Sequence, residues 1–249
     1  VAVANILFAI LEGWNWIGYS PHISLDINTA LSNIVDGDAL YLKSQSGYSD
    51  FYDDFGWFGT LEELNPLNGY ILDATQTFDF IYNDSIENNG FASFHTKGEA
   101  DAGHYRMNVY DYQHNGSITT ALYKNGERID SDDYILAAFN GNTCVGYTDA
   151  LELPYQLAVD AEGHVVYPLM IYSNDVHNQL RYEAYEKSTG LYYEIDQVIP
   201  FTLDMRHGNA LEPIEMNLTA SGSGYKVSMP YPNPFNPVVN FDLTLTGNN

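Results

Sequence analysis

The chain has 249 residues, 45% of them hydrophobic, and sets nine Lys plus Arg against 33 Asp plus Glu for a net charge of −24. That length and apolar share bury a sizeable core, as one large β domain or two ordinary ones, and exclude a disordered chain. The charge repels nucleic acid and anionic lipid and excludes a role on either, while it favours solubility and divalent cations. Twenty-one Tyr and twelve Phe among many Asn, Gly, Thr and Ser match extracellular β-sandwiches better than cytosolic helical enzymes.

In chain order, AVANILFAIL is broken by Asn5 and stops at Glu12, too short to span a bilayer, and reads as one or two strands. No transmembrane segment is expected. Ser24 or Asp26 caps a short helix whose apolar positions Ile27, Ala30, Leu31 and Ile34 recur at helical spacing, with Asp36-Gly37 ending it. ALYLKSQ alternates, GWFGTL is aromatic and β-prone, and NPLNG is a turn that launches GYILDA. Residues 1–86 thus form a small α+β module of about five strands and one helix.

ENNGFASFHTKGEADA, residues 87–102, carries no periodicity and marks a boundary. Regularly spaced strands follow: HYRMNVYDYQ, SITTALYKNG, YILAAFNGNTCVGYT, HVVYPLMIYS, LRYEAYEKSTGLYYEI and EPIEMNLTA. Their spacing predicts a mainly β fold over 87–220, an antiparallel Ig-like sandwich of seven or eight strands. SGSGYK is a flexible linker that opens a third segment, 221–249. The lone Cys144 has no second thiol to pair with and reads as a small buried hydrophobe.

Within the third segment, Tyr231, Pro232, Asn233, Pro234, Phe235, Asn236 and Pro237 spell YPNPFNP, with Pro230 before it and VVNFDLTL after it. Proline forbids helix and each Asn-Pro pair is extended or turned, so the motif is a stiff lead-in to a strand. It resembles the opening of the C-terminal sorting domain of type IX secretion substrates, and that resemblance implies export and surface attachment, with only the first strand of that domain, here truncated, in the sequence. GWNWIGY, LDINTALSNI and YLKSQSGYSDFYDDFGWFGTLEELNPLNGYIL resemble an uncharacterised repeat of large secreted proteins from environmental bacteria, and the second unit resembles the sandwich that follows that repeat. This second resemblance implies architecture and location alone.

Candidate ligand contacts gather in the first unit. Trp14, Trp16, Tyr52 and Trp57 offer rings on which the CH face of a sugar stacks, and Lys43, Gln45 and Asp53 are the flanking polar groups. The competing reading places Trp14, Trp16 and Trp57 in the core, which a module of this size needs large side chains to fill. Among several acidic turns, which as hydrated turn residues are the favoured reading of any one cluster, Asp130, Asp132 and Asp133 are singled out by the oxygen density that Ca²⁺ prefers. Asp84-Ser85-Ile86 resembles the bacterial O-glycosylation site and singles out Ser85. Seven scattered histidines form no metal motif, and no nucleophile elbow, phosphate loop or dinucleotide fingerprint is present, so no catalytic residue is named.

These features lead us to expect a non-enzymatic, secreted, cell-surface β protein that works by adhesion or by extracellular, possibly filamentous, assembly. Its partner is then an extracellular glycan or protein, or a further copy engaged through the terminal strands at Val1–Leu11 and Val238–Asn249. A carbohydrate-binding module is the alternative, and a glycoside hydrolase with two carboxylates across a cleft the third choice. No cofactor is implied other than Ca²⁺.

Overall fold

The computed structural model describes residues 6–83, 105–159, 161, 163–220, 225–227 and 243–245, and the chain divides into two compact units, 1–97 and 98–249. In the first unit the strands are β1 (Phe8–Ile10), β2 (Gly13–Gly18), β3 (Leu25–Asp26), β4 (Ala39–Lys43), β5 (Tyr48–Tyr52), β6 (Gly56–Gly59), β7 (Glu63–Leu64), β8 (Gly69–Ala74) and β9 (Phe78–Phe80). Five of them form an antiparallel sheet in the order β2-β8-β4-β5-β6. One helical turn, α1 (Ile27–Ala30), packs on it. The Asp26 carboxylate accepts from the backbone N–H groups of Asn28 and Thr29 at 2.9 and 3.1 Å, satisfying two donors that the helix itself leaves open. The helix expected to run to Ile34 continues beyond Ala30 only as turns, and Leu31 and Ile34 still reach the core.

Strand alternation sorts this sheet into two faces. Ile17, Leu42, Trp57, Tyr70, Leu72 and Ala74 point to the side that α1 covers, together with Ile10 and Phe80. The β1–β9 ribbon closes that core with rings: Phe8 stacks on Phe80 at 5.3 Å and meets Tyr82 edge-on at 5.2 Å. β1 therefore has its partner in its own unit. So does β23 (Leu243–Leu245), which pairs with β22 (Tyr225–Val227). Both terminal strands thus have a partner within their own chain over these residues, while 1–5, 238–242 and 246–249 lie outside the described residues.

The second unit is mainly β, as its strand spacing predicts. Its long strands are β10 (His114–Lys124), β12 (Tyr134–Asn140), β13 (Thr143–Asp149), β15 (Val165–Ser173), β17 (Arg181–Glu186), β18 (Leu191–Ile195) and β21 (Ile214–Ala220). Shorter ones are β11 (Glu127–Arg128), β14 (Leu151–Glu152), β16 (His177–Asn178), β19 (Phe201–Thr202) and β20 (Arg206–His207), with one helical turn, α2 (Tyr155–Ala158). The main sheet runs β13-β12-β17-β18-β21-β10-β15-β14 and curls until β13 packs beside β15. Its pairings are antiparallel except where β10 meets β20 and β21, which run parallel to it. At the seam Gly146 lies so close to β15 that a Cβ there would stand 2.3 Å from the Met170 carbonyl.

Ile118, Leu122, Leu136, Ala138, Tyr167, Leu169, Tyr182 and Met216 fill the interior. On the opposite face of β12 and β17, Ile135, Ala137, Phe139, Cys144 and Tyr185 form a smaller cluster under Tyr105. Cys144 is buried as expected, and burial pushes its thiol up to about 11. Over 105–113 no strand forms, and β10 carries the next expected run, SITTALYK, extended back to His114. Before it, the Asn108 side chain accepts from the Tyr110 N–H and turns Val109–Asp111 into a 3₁₀ helix.

Candidate functional site

The outer face of the first sheet carries the candidate site. Register aligns Trp14 on β2 with Asp73 on β8, Tyr41 on β4, Asp50 on β5 and Phe58 on β6. One row further on lie Trp16, Ile71, Lys43 and Tyr48. Lateral neighbours in such rows touch, but Tyr41, Lys43, Tyr48 and Asp50 are buried, so of these two rows only Trp14 and Trp16 are exposed. β2 is an edge strand, and its two indoles stay open: Trp14 is 47% exposed and Trp16 is 81% exposed.

Local chemistry fixes Trp14 and leaves Trp16 free. The Asn15 amide donates to the Leu11 and Gly13 carbonyls at 2.7 and 2.8 Å and accepts from the Leu11 N–H at 3.0 Å, which pins the entry to β2. Trp14 then stands edge-on to Tyr41 at 6.0 Å, with the Lys43 Nζ 5.6 Å from its ring centroid. Lys43, Tyr41, Tyr48 and Asp50 are buried toward the sheet centre. The result is a graded surface, anchored at Trp14 and freely accessible at Trp16.

Of the seven residues expected at a ligand surface, Trp14, Trp16 and Lys43 come together. Tyr52 shares their face by strand parity but is buried, Gln45 is half-buried in the β4–β5 turn, and Asp53 is exposed in the β5–β6 turn at the other end of β5. Trp57 belongs to the core: it is 3% exposed and packs edge-on against Phe51 at 5.1 Å. The core reading thus holds for Trp57 and fails for the other two indoles. Tyr41, Ile71 and Asp73 belong to the same face and were not singled out. Alternation in ALYLK and GYILDA groups each pair internally, but only cross-strand register aligns them with Trp14.

Beneath the β5–β6 turn lies a cleft of about 470 Å³, lined by Leu31, Val35, Phe51, Phe55 and Trp57, with Asp36 and Asp54 among its walls. Asp54 adopts a left-handed conformation, φ 63°, and its N–H reaches the Asp36 carboxylate at 3.3 Å. Gly56, φ 99°, passes so close to Asn28 that a Cβ would stand 2.4 Å from its amide oxygen. That approach lets Asn28 grip the Trp57 backbone, accepting from its N–H at 2.7 Å and donating to its carbonyl at 3.0 Å.

The calcium site expected at Asp130, Asp132 and Asp133 is not assembled. Asp130 accepts from the His164 backbone at 2.7 Å and lies 2.8 Å from its ring Nδ1. Asp133 instead takes the Ser188 N–H at 2.9 Å, along with the Ser188 hydroxyl, while Asp132 is exposed. Burial works to raise the Asp130 pKa, but the hydrogen bonds and charge of His164 outweigh it and hold the carboxyl below its usual range. Among the described residues no group of three or more His, Cys, Asp or Glu is placed to hold a metal. Ser85 and the motif from Tyr231 to Pro237 lie outside the described residues.

Two carboxylates of β17 are well satisfied. Glu183 is buried, taking the Tyr105 hydroxyl at 3.0 Å and Arg181 at 2.7 Å. Glu186 accepts from Tyr193 at 3.1 Å, from Thr189 at 2.5 Å and from the Tyr134 hydroxyl. Three residues apart, they project from opposite faces of the strand and do not face each other across a cleft. Among the described residues no helix is long and apolar enough to cross a membrane. Comparison with protein-family models, curated proteins and solved structures finds no match to this chain.

Proposed function

We propose that the protein is a secreted, cell-surface β protein that acts by adhesion and not by catalysis, holding an extracellular glycan through Trp14 and Trp16. One observation carries the reading: two indoles two residues apart on an edge strand point to the same side and are 47% and 81% exposed, while the third tryptophan is core. An exposed indole loses apolar hydration when a pyranose CH face covers it, and Asp73 lies beside Trp14 in the register. The net charge of −24 disfavours polyanionic ligands, so a neutral or cationic polysaccharide is the class of choice. Export and surface attachment rest on the resemblance of YPNPFNP to a type IX sorting motif.

Affinity electrophoresis in gels cast with neutral polysaccharides, chosen from a glycan array, tests the reading. The wild type is expected to be retarded, with its tryptophan emission shifted to the blue on binding. Trp16→Ala is expected to lose most of the retardation without any change in melting temperature. Retention indifferent to Trp16→Ala, or no retention by any glycan, refutes it.

A further inference from the structure

The two edges of the first sheet are treated differently. At the β6 edge the Asn28 side chain occupies the outward N–H and C=O of Trp57, imitating a neighbouring strand. At the other edge, no described strand pairs with β2. The Tyr19 N–H bonds the Asn68 carbonyl, so the odd-numbered residues of this stretch direct their backbone groups toward β8. Trp14, Trp16 and Gly18 consequently turn their N–H and C=O groups away from the sheet, and among the described residues nothing pairs with them. Natural edges are protected by Lys, Pro, bulges or a covering segment, and GWNWIG has no charged residue and no proline.

We propose that this edge is a self-association surface on which a second copy docks, β2 against β2 in antiparallel register across a two-fold axis. The register follows from parity. For Trp14, Trp16 and Gly18 all to pair, Trp14 must face Gly18 of the other copy and Trp16 must face its own equivalent. Each indole at position 14 then lies over a glycine, which has no Cβ to obstruct it, and the two Trp16 rings become cross-strand neighbours. Charge supports a copy of the same chain at this one place. β2 is neutral within a chain of −24, and the register continued past the ends of β2 brings Glu12 toward Ser20 and not toward another acid. A two-fold contact closes on itself, so association stops at the dimer and does not propagate as a filament. Pairing runs through backbone groups in the sheet plane and leaves the indole faces free, joining both Trp pairs into one row. The inference stands whether or not that row binds glycan.

Analytical ultracentrifugation over a range of protein and salt concentrations, with no glycan present, tests it. The wild type is expected to show a monomer–dimer equilibrium that tightens as salt screens the repulsion between two acidic chains. Gly18→Pro removes an outward N–H and leaves the β2–β8 ladder its own bonds, so the dimer is expected to weaken by about tenfold or more. Ser20→Lys, facing Glu12 of the partner, is expected to tighten the dimer, and Ser20→Glu to loosen it. These two surface changes do not threaten folding, and unchanged tryptophan emission checks Gly18→Pro. A wild type that stays monomeric at high protein and high salt, assembly beyond the dimer, or a dimer indifferent to Gly18→Pro and to the sign of the charge at position 20 overturns the proposal.

Discussion

Replacing Asn28 with alanine tests how the first unit is held and how one of its edges is closed. The amide makes two hydrogen bonds to Trp57 across 29 residues of sequence, at 2.7 and 3.0 Å. Each such bond contributes about 1 kcal/mol net, and the Trp57 N–H and C=O are left to whatever water the neighbouring cleft admits. Alanine has the higher helix propensity and returns about 0.5 kcal/mol at this helical position. The expected net loss is about 1.5 kcal/mol, which for a domain of this size lowers the melting temperature by about 6–12 °C. Trp14, Trp16 and Trp57 are the three tryptophans of the chain and all lie in the first unit, so tryptophan emission during a thermal melt isolates its transition. Thr29→Ala, an exposed neighbour on the same helical turn, serves as the control and is expected to stay within about 0.5 kcal/mol of wild type. If Asn28→Ala melts within about 2 °C of wild type, the amide is not the clamp inferred for it, and the contrast between the β2 and β6 edges loses its basis.

The second unit supports two further predictions, both read by circular dichroism and tyrosine emission because it contains no tryptophan. Burial works to raise the Glu186 pKa, but hydrogen bonds from Thr189, Tyr134 and Tyr193 and the charge of Lys124 hold it below its ordinary value. A carboxyl depressed in the folded state stabilises the fold above its unfolded pKa, and that stability is lost as pH falls through the folded pKa. Glu186→Gln is therefore expected to lower stability at neutral pH by about 1–2 kcal/mol, discounted for partial exposure, and to flatten the decline below about pH 5; parallel acid titrations of mutant and wild type contradict it. Gly146→Ala would place a Cβ 2.3 Å from the Met170 carbonyl and 3.3 Å from the Ile171 Cα. Those are backbone atoms that yield only if β13 moves away from β15, so a loss of about 1–3 kcal/mol is expected, and an unchanged denaturation midpoint contradicts the close packing of the seam.

Sequence by itself determined whatever depends on neighbours along the chain. A β-strand places residues two apart on one side, so GWNWIG already assigns Trp14 and Trp16 to the same face. Asp26 caps its helix because a carboxylate there meets N–H groups two and three residues later, and the second unit's long strands match runs of β-prone residues between turns. Tertiary structure alone decided which faces are buried and which strands end a sheet. GWNW and GWFG look alike as aromatic stretches, yet Trp57 is sealed against α1 while Trp16 is open. The difference arises because Trp57 points to the face that α1 covers, whereas Trp14 and Trp16 point to the opposite face on an edge strand. The parallel placement of β21 on β10, the curl that brings Gly146 against Met170, and the diversion of Asp130 to His164 and Asp133 to Ser188 are likewise long-range events. Local periodicity cannot encode them, since burial and pairing depend on segments that meet only once the chain has folded.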